Sequence, residues 1–239
     1  MVIGNGFIAQ ALQIFKDNSE FVIFASGVSN SNEKNLSAYA KEFNLLNSFL
    51  IQHPDKIFVY FSTLAVFDPN LQNSEYIKHK KKTEQFISNN AARFFIFRLP
   101  NIVGFSNNPH TLLNFFFNKI IRKEKVTIYT HAKRYLLDIT DMQTIITSVL
   151  LRQLLPINRV YNINLYPAIG ALDIFKIFCK ELSLDCPYEM IDGGGNYSVP
   201  FDETMRLIEN KQLPLSLKFD TTEEYLKNMI KKYYYGRNI

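Results

Sequence analysis

Tyr76 and Lys80 stand four residues apart in the stretch YIKHKKKTEQF, a spacing that puts both side chains on one face of a helix. A phenol titrates near 10 when unperturbed, and a fixed ammonium beside it favours the phenolate. Such a pair can move a proton nearer neutral pH. The spacing alone selects nothing, because 13 Tyr and 19 Lys in 239 residues give roughly one match by chance, and a second occurs at Tyr129 and Lys133. Context separates them. Tyr76 opens a predicted helix directly after a strand ending FSTLAVF, whereas Tyr129 ends a strand. A plainer reading covers the same residues: Thr63 as the β-branched end of a buried strand, Tyr76 as a first-turn aromatic, and Lys78 to Lys82 as a solvated face.

The second constellation is GNGFIA at residues 4 to 9. It matches the dinucleotide fingerprint G-x-G-x-x-G/A and lies between a first strand and a first helix, where that mechanism needs it. Gly4 would allow the tight turn, Gly6 a close backbone approach by a pyrophosphate, and Ala9 close packing of helix on sheet. A merely structural turn is the alternative. The acidic residue that normally follows about 20 residues on, to hold a ribose, is missing, because the second apolar strand ends FASGVS.

The elements that must position these residues alternate. An apolar strand, the glycine turn and the helical FIAQALQIFK are followed by the strand FVIFASGV, a helix around NLSAYAKEFNLLNSFLIQ and the strand KIFVYFST. Then come the helical YIKHKKKTEQFISNN and a strand, RFFIFRLPNIVG, ending in a turn. Further on the pattern predicts helices at PHTLLNFFFNKIIRK, DMQTIITSVLLRQLL and ALDIFKIFCKEL, strands at KVTIYT and RVYNIN, a loop DGGGNYSVP and a last helix TTEEYLKNMIKKYYY with an N-cap at its opening threonines. Alternating strands and helices imply an α/β fold: a parallel sheet covered on both faces. Gly4 and Thr63 are only 59 residues apart, room for two crossovers, whereas a doubly wound sheet reaching its fifth strand needs about 100 residues. Two strands and their helices are therefore expected to be absent.

Composition adds limits. The length supports a well-buried core. The formal charge of +5 is modest and spread along the chain, so anionic small molecules suit it better than nucleic acid, for which no motif is present. Cys179 and Cys186 suggest neither a zinc site nor a disulfide framework, and His53, His79, His110 and His131 form no metal motif. No apolar run reaches the ~18 residues of a membrane span, and the first residues lack a signal-peptide pattern. A cytoplasmic protein with no membrane partner is expected.

In this order, GNGFIA, VYFSTLAVFD, YIKHK with Glu84 four residues on, FRLPNIVG and KRYLLDITDM resemble the extended short-chain dehydrogenase/reductases, which are the nucleotide-sugar epimerases, dehydratases and reductases. The resemblance is clear to about residue 165. It implies a reduced Rossmann-like parallel sheet (residues 1–165) and a small C-terminal substrate-binding lobe (166–239), to which 105–125 contribute. It implies Thr63, Tyr76 and Lys80 as catalytic residues: a hydroxyl on the reacting oxygen, a general acid/base, and a cation that lowers the tyrosine's pKa and holds the nicotinamide ribose. NAD or NADP would lie against Gly4, Gly6, Phe7, Ile8, Ala25, Ser26, Lys80, Pro100 and Asn101. The nucleotide-activated sugar would meet Thr63, Asn101 and Arg134, although Arg134 has an ion pair with Asp138 as an alternative use. FVIFASGVSNS resembles the family's fourth strand better than its second. Leu64 and Ala65 stand where the dehydratases carry an Asp-Glu pair, which argues against dehydration. The expected activity is reduction of a 4-keto-6-deoxyhexose nucleotide for surface polysaccharide, with an epimerase or a non-catalytic nucleotide-binding relative as alternatives. A homodimer would form through helices 36–52 and 76–90.

Overall fold

The structure, a computed structural model, describes residues 1–106, 108–215 and 218–236. Its centre is a five-stranded sheet of β1 (Val2–Ile3), β2 (Phe21–Phe24), β3 (Ile57–Thr63), β4 (Phe94–Leu99) and β9 (Arg159–Asn162), side by side in that order and parallel throughout. Strand alternation sends successive side chains to opposite faces, so each face gains its own apolar layer. Val22, Phe24, Phe58, Tyr60, Phe94 and Ile96 meet Leu46 of α2 (Leu36–Gln52) and Ile87 of α3 (Glu75–Asn90). Phe21, Ile23, Val59, Phe61, Phe95 and Phe97 meet Leu12 and Phe15, beyond α1 (Phe7–Ala11), and Met142, Ile145 and Val149 of α5 (Ile139–Arg152). At about 2 kcal/mol for each fully buried large side chain, these layers dominate the fold's stability.

The connections bear on the loss expected from chain length. β1 to β2, β2 to β3 and β3 to β4 all step the same way across the sheet, yet the first connection packs on one face and the next two on the other. Parallel connections that step alike on opposite faces have opposite hands. Right-handed crossovers are the rule, so β1–α1–β2 and the two later connections cannot all follow it. Among the described residues no strand lies beyond β1.

RFFIFRLPNIVG, expected as one strand, is two. Pro100 carries no N–H for a ladder, and the chain leaves the main sheet there. β5 (Asn101–Val103) then pairs in parallel with β8 (Leu136–Asp138). The first helix also stops early, at Ala11, with a 3-10 turn over Gln13–Phe15. The remaining elements are α4 (Leu112–Ile121), β6 (Val126–Tyr129), β7 (Lys133–Arg134), β10 (Ile169–Gly170), α6 (Ala171–Leu182), β11 (Tyr188–Ile191), α7 (Asp202–Glu209) and α8 (Thr222–Tyr234). They form the two-stranded pairs β6–β11 and β7–β10, with α6 against α8. One apolar cluster runs from the sheet into these elements. Among the described residues no helix is long and apolar enough to cross a membrane.

Candidate active site

The site forms at the carboxyl ends of the strands, where ligands of open α/β sheets bind. Gly4 follows β1 with φ +113°, a left-handed conformation, and a Cβ there would lie 2.5 Å from the Ala25 carbonyl oxygen. The turn after β1 and the small-residue turn after β2 therefore touch backbone to backbone, which fixes Gly4, Ala25 and Ser26 together. Gly6 is different. It caps α1 at φ −75°, and a Cβ there would meet nothing within 4 Å. Nothing in the protein itself requires glycine at position 6, whereas a ligand laid along the turn would. Phe7 turns the other way, its ring so close to Gly104 that no Cβ fits there, and Ile139 closes the same gap. Phe7 and Ile8 are part-buried against the main core.

Thr63 ends β3 and Tyr76 sits in the first turn of α3, whose N-cap Ser74 accepts a hydrogen bond from the Ile77 N–H at 3.3 Å. Thr63 Oγ1 accepts from the Ala65 N–H at 3.1 Å. Tyr76 is 8% exposed. Burial pushes its phenol well above the ordinary range; the neighbouring Thr63 hydroxyl opposes this, and Glu42 and Tyr39 add to it. Tyr76 is therefore a phenol at neutral pH, ready to give a proton.

Lys80 lies one turn further along α3 and is 3% exposed. Its ammonium is engaged inside the protein, donating to Tyr60 Oη at 2.9 Å and to Glu42 Oε1 at 3.2 Å, with Nζ 5.8 Å from the centre of the Tyr76 ring. Burial pulls it below the usual lysine range, and Glu42 and Glu84 oppose that. Glu42, the unforeseen member, is itself 3% exposed and lies between Tyr39 and Leu46 on the buried stripe of α2. It accepts from Tyr60 Oη at 2.8 Å and from the Val28 N–H at 2.7 Å, and its Oε2 is 3.0 Å from His79 Nε2. Burial raises its carboxyl, but His79, Lys80 and Val28 together hold it at about 2. The stripe Tyr39, Glu42, Leu46 has helical spacing, so an acid on an apolar face was the available sequence signal.

Behind this row, Glu84 takes a bidentate pair from Arg98 of β4 (3.0 and 2.6 Å) and the Ser62 hydroxyl at 2.5 Å, which ties α3 to the strands carrying Thr63. On the other side, Asn101 donates its side-chain amide to the Tyr135 carbonyl at 3.0 Å, next to the break at Pro100. Arg134 forms no pair with Asp138. Its guanidinium donates to the Lys133 carbonyl, while Asp138 caps α5 and binds Lys232 at 2.9 Å. The charge of Arg134 is felt by Tyr197, whose phenol burial carries to about 12 against the pull of Arg134. The loop DGGGNYSVP crosses here: Gly195 is pressed onto the Asp68 carboxylate, and the Val199 N–H donates to Tyr135 Oη at 3.1 Å. Thr63, Tyr76, Lys80 and Gly27 thus gather on one side, and Asn101, Arg134 and the glycine loop border the other. A cavity of about 410 Å³ lined by Phe21, Ile57, Phe95 and Leu150 opens at the amino ends of the strands, away from this site.

No protein-family model matches the chain, and no curated protein matches it in sequence. Solved structures do resemble it. dTDP-glucose 4,6-dehydratase of Bacillus anthracis, a complex with NAD, superposes with a TM-score of 0.71 at 16% identity, over 98% of this chain and 79% of that one. UDP-glucuronic acid 4-epimerase of Bacillus cereus, with UDP-glucuronic acid and NAD, gives 0.71 at 16% identity, over 96% and 79%. RMD of Pseudomonas aeruginosa, with NADPH, gives 0.71 at 13% identity, over 97% of both chains. The fold expected from the resemblance to the extended short-chain dehydrogenase/reductases is therefore the fold observed.

Proposed function

We propose that the protein is an NAD(P)-dependent oxidoreductase of nucleotide-activated sugars, working as a reductase of a keto group. The observation that carries this is Tyr76, a buried phenol in the first turn of α3, with Thr63 at the carboxyl end of β3 and a glycine turn whose Gly6 faces open space. The structural neighbours that bind NAD, NADPH and UDP-sugars support the same reading. The cofactor's pyrophosphate would lie over Gly4 and Gly6 and its nicotinamide end near Ala25, Ser26, Pro100 and Asn101. These residues fit it, while among the described residues the adenosine end finds neither a further strand beyond β1 nor a carboxylate in the ASGVS turn after β2. When bound, the nicotinamide supplies the hydride.

The chain's own part is proton transfer and orientation. Thr63 would hold the keto oxygen beside Tyr76, and Tyr76 would deliver its phenolic proton to that oxygen as negative charge develops on it. A phenol held protonated suits this direction. An epimerase or a dehydrogenase begins by taking a hydroxyl proton and needs the phenolate first. Arg134 and Asn101 would face the nucleotide-sugar, the guanidinium being suited to a diphosphate. A second reading, a non-catalytic relative that binds a dinucleotide or sugar nucleotide, is favoured by one observation: among the described residues the sheet ends at β1, with no strand beyond it to support the adenosine end of a dinucleotide.

A fluorescence titration with NADH and NADPH, followed by turnover of 4-keto-6-deoxyhexose nucleotides, tests both readings. Tyr76→Phe is expected to keep cofactor binding and to lose at least ~100-fold in kcat, the usual worth of a general acid. Binding without turnover in the unaltered protein selects the second reading, and no binding at millimolar cofactor removes both.

A further inference from the structure

Glu42 collects three donors: its two oxygens accept from Lys80, Tyr60 and the Val28 N–H, drawn from α3, β3 and the turn after β2, and His79 Nε2 lies 3.0 Å from Oε2. The pair with Lys80 is sealed from above by Gly27, where a Cβ would fall 2.9 Å from Lys80 Nζ and 3.1 Å from Glu42 Oε1. Both side chains are 3% exposed or less, and in such surroundings an ion pair is screened far less than at a surface.

We propose that Glu42 is a positioning residue of this site: it holds the Lys80 ammonium inward on Tyr60, so that Tyr76 has no uncompensated cation beside it and remains the proton donor of a reductase. The inference rests on the reading of Tyr76 as the proton-transfer residue and adds what sets its direction. A lone ammonium one turn from a phenol stabilises the phenolate. An ammonium already neutralised by a carboxylate 3.2 Å away does not, and the carboxylate itself opposes a second negative charge nearby. The charged and titratable groups around Tyr76 agree with this. They are Tyr39 and Glu42 from α2, Tyr60 from β3 and Lys80 on its own helix, with the neutral Thr63 hydroxyl opposing the upward shift.

Glu42→Gln keeps the shape and removes the charge. Ultraviolet titration of tyrosinate, in the unaltered protein and in Glu42→Gln, each with and without Tyr76→Phe, isolates the ionisation of Tyr76 by difference. The expected result is that Tyr76 becomes a stronger acid by about tenfold or more in Glu42→Gln, and that adding Lys80→Met cancels the gain. An unchanged Tyr76 titration in folded Glu42→Gln overturns the proposal. If Glu42→Gln does not fold, the double variant Glu42→Gln/Lys80→Met decides: recovered folding shows that the unpaired ammonium was the fault, and continued failure alongside a folded Lys80→Met overturns the pairing. None of these readings uses cofactor or turnover. A protein that passes them but binds no NADH or NADPH loses the function proposed above and keeps the Glu42–Lys80 device.

Discussion

At the scale of single residues, the two glycines of one turn differ in what surrounds them. Gly4 has a left-handed φ and backbone 2.5 Å from where a Cβ would be, so Gly4→Ala must strain the chain or part β1 from β2, at about 2–3 kcal/mol. Gly6 has an ordinary φ and open space, so Gly6→Ala should cost no more than about 1 kcal/mol, the loss of a tolerable N-cap. Yet a methyl there occupies the surface on which a pyrophosphate would lie. Thermal unfolding should therefore separate Gly4→Ala from Gly6→Ala, and NADH titration should show at least tenfold weaker binding for Gly6→Ala. Unchanged affinity in Gly6→Ala would mean that the turn holds no dinucleotide. That Gly4 and Gly6 lie in the turn after β1, Thr63 at the end of β3 and Tyr76 in the first turn of α3 was legible in the sequence, because each follows from the pattern of its own neighbours. Glu42 was harder to see: its partner Lys80 is 38 residues away, and only the apolar stripe around it marked it as buried.

At the scale of elements, the distance between Thr63 and Tyr76 depends on how α3 is fastened to the sheet, and Glu84 is the fastening. It lies 6% exposed under a bidentate pair from Arg98, with the guanidinium in turn 5.3 Å from the centre of the Phe67 ring. Removing one member of a buried pair strands the other. Glu84→Ala is expected to destabilise by about 3–5 kcal/mol, read as a lower urea midpoint at unchanged slope. A change within about 0.5 kcal/mol would show that Arg98 is content with solvent. The strands and helices of the main sheet were legible because each has a strong period of its own. The small pairs were not. β5 leaves the main sheet only because Pro100 interrupts the ladder, β8 is three residues long, and the partner of β11 is β6, about 60 residues away. The packing of the β1–α1–β2 connection on the opposite face from the next two was legible only indirectly, as a chain too short for the strands the glycine turn implied.

At the scale of the whole molecule, the C-terminal helix closes the fold onto the site's supports. α8 opens on Thr221, which accepts from the Glu224 N–H as the TTEE stretch suggested, and it places Lys232 and Tyr233 on Asp138 and Tyr225 on Asp141. Asp138 caps α5, and α5 packs on the sheet and on α1. That Asp138 binds Lys232, 94 residues on, and not Arg134 nearby is a property of folding that neighbouring residues could not reveal. Two carboxyls, the buried Glu42 and the part-buried Asp141, then shift how the fold responds to acid, with opposite signs. Asp141 is raised, chiefly by burial, so its protonation as pH falls favours the folded state. Glu42 is held at about 2 against an ordinary 4.5. Its contribution, about 3 kcal/mol on that shift, is complete above about pH 4.5 and fades as pH falls toward 2. Urea unfolding between pH 6 and 2 should therefore show the unaltered protein losing stability more steeply than Glu42→Gln, or than Glu42→Gln/Lys80→Met if the single variant does not fold. The two curves should converge at the acid end. Parallel acid limbs would mean that Glu42 is not held ionised by its donors, and the same result would leave Lys80 without the buried counter-charge that keeps it turned away from Tyr76.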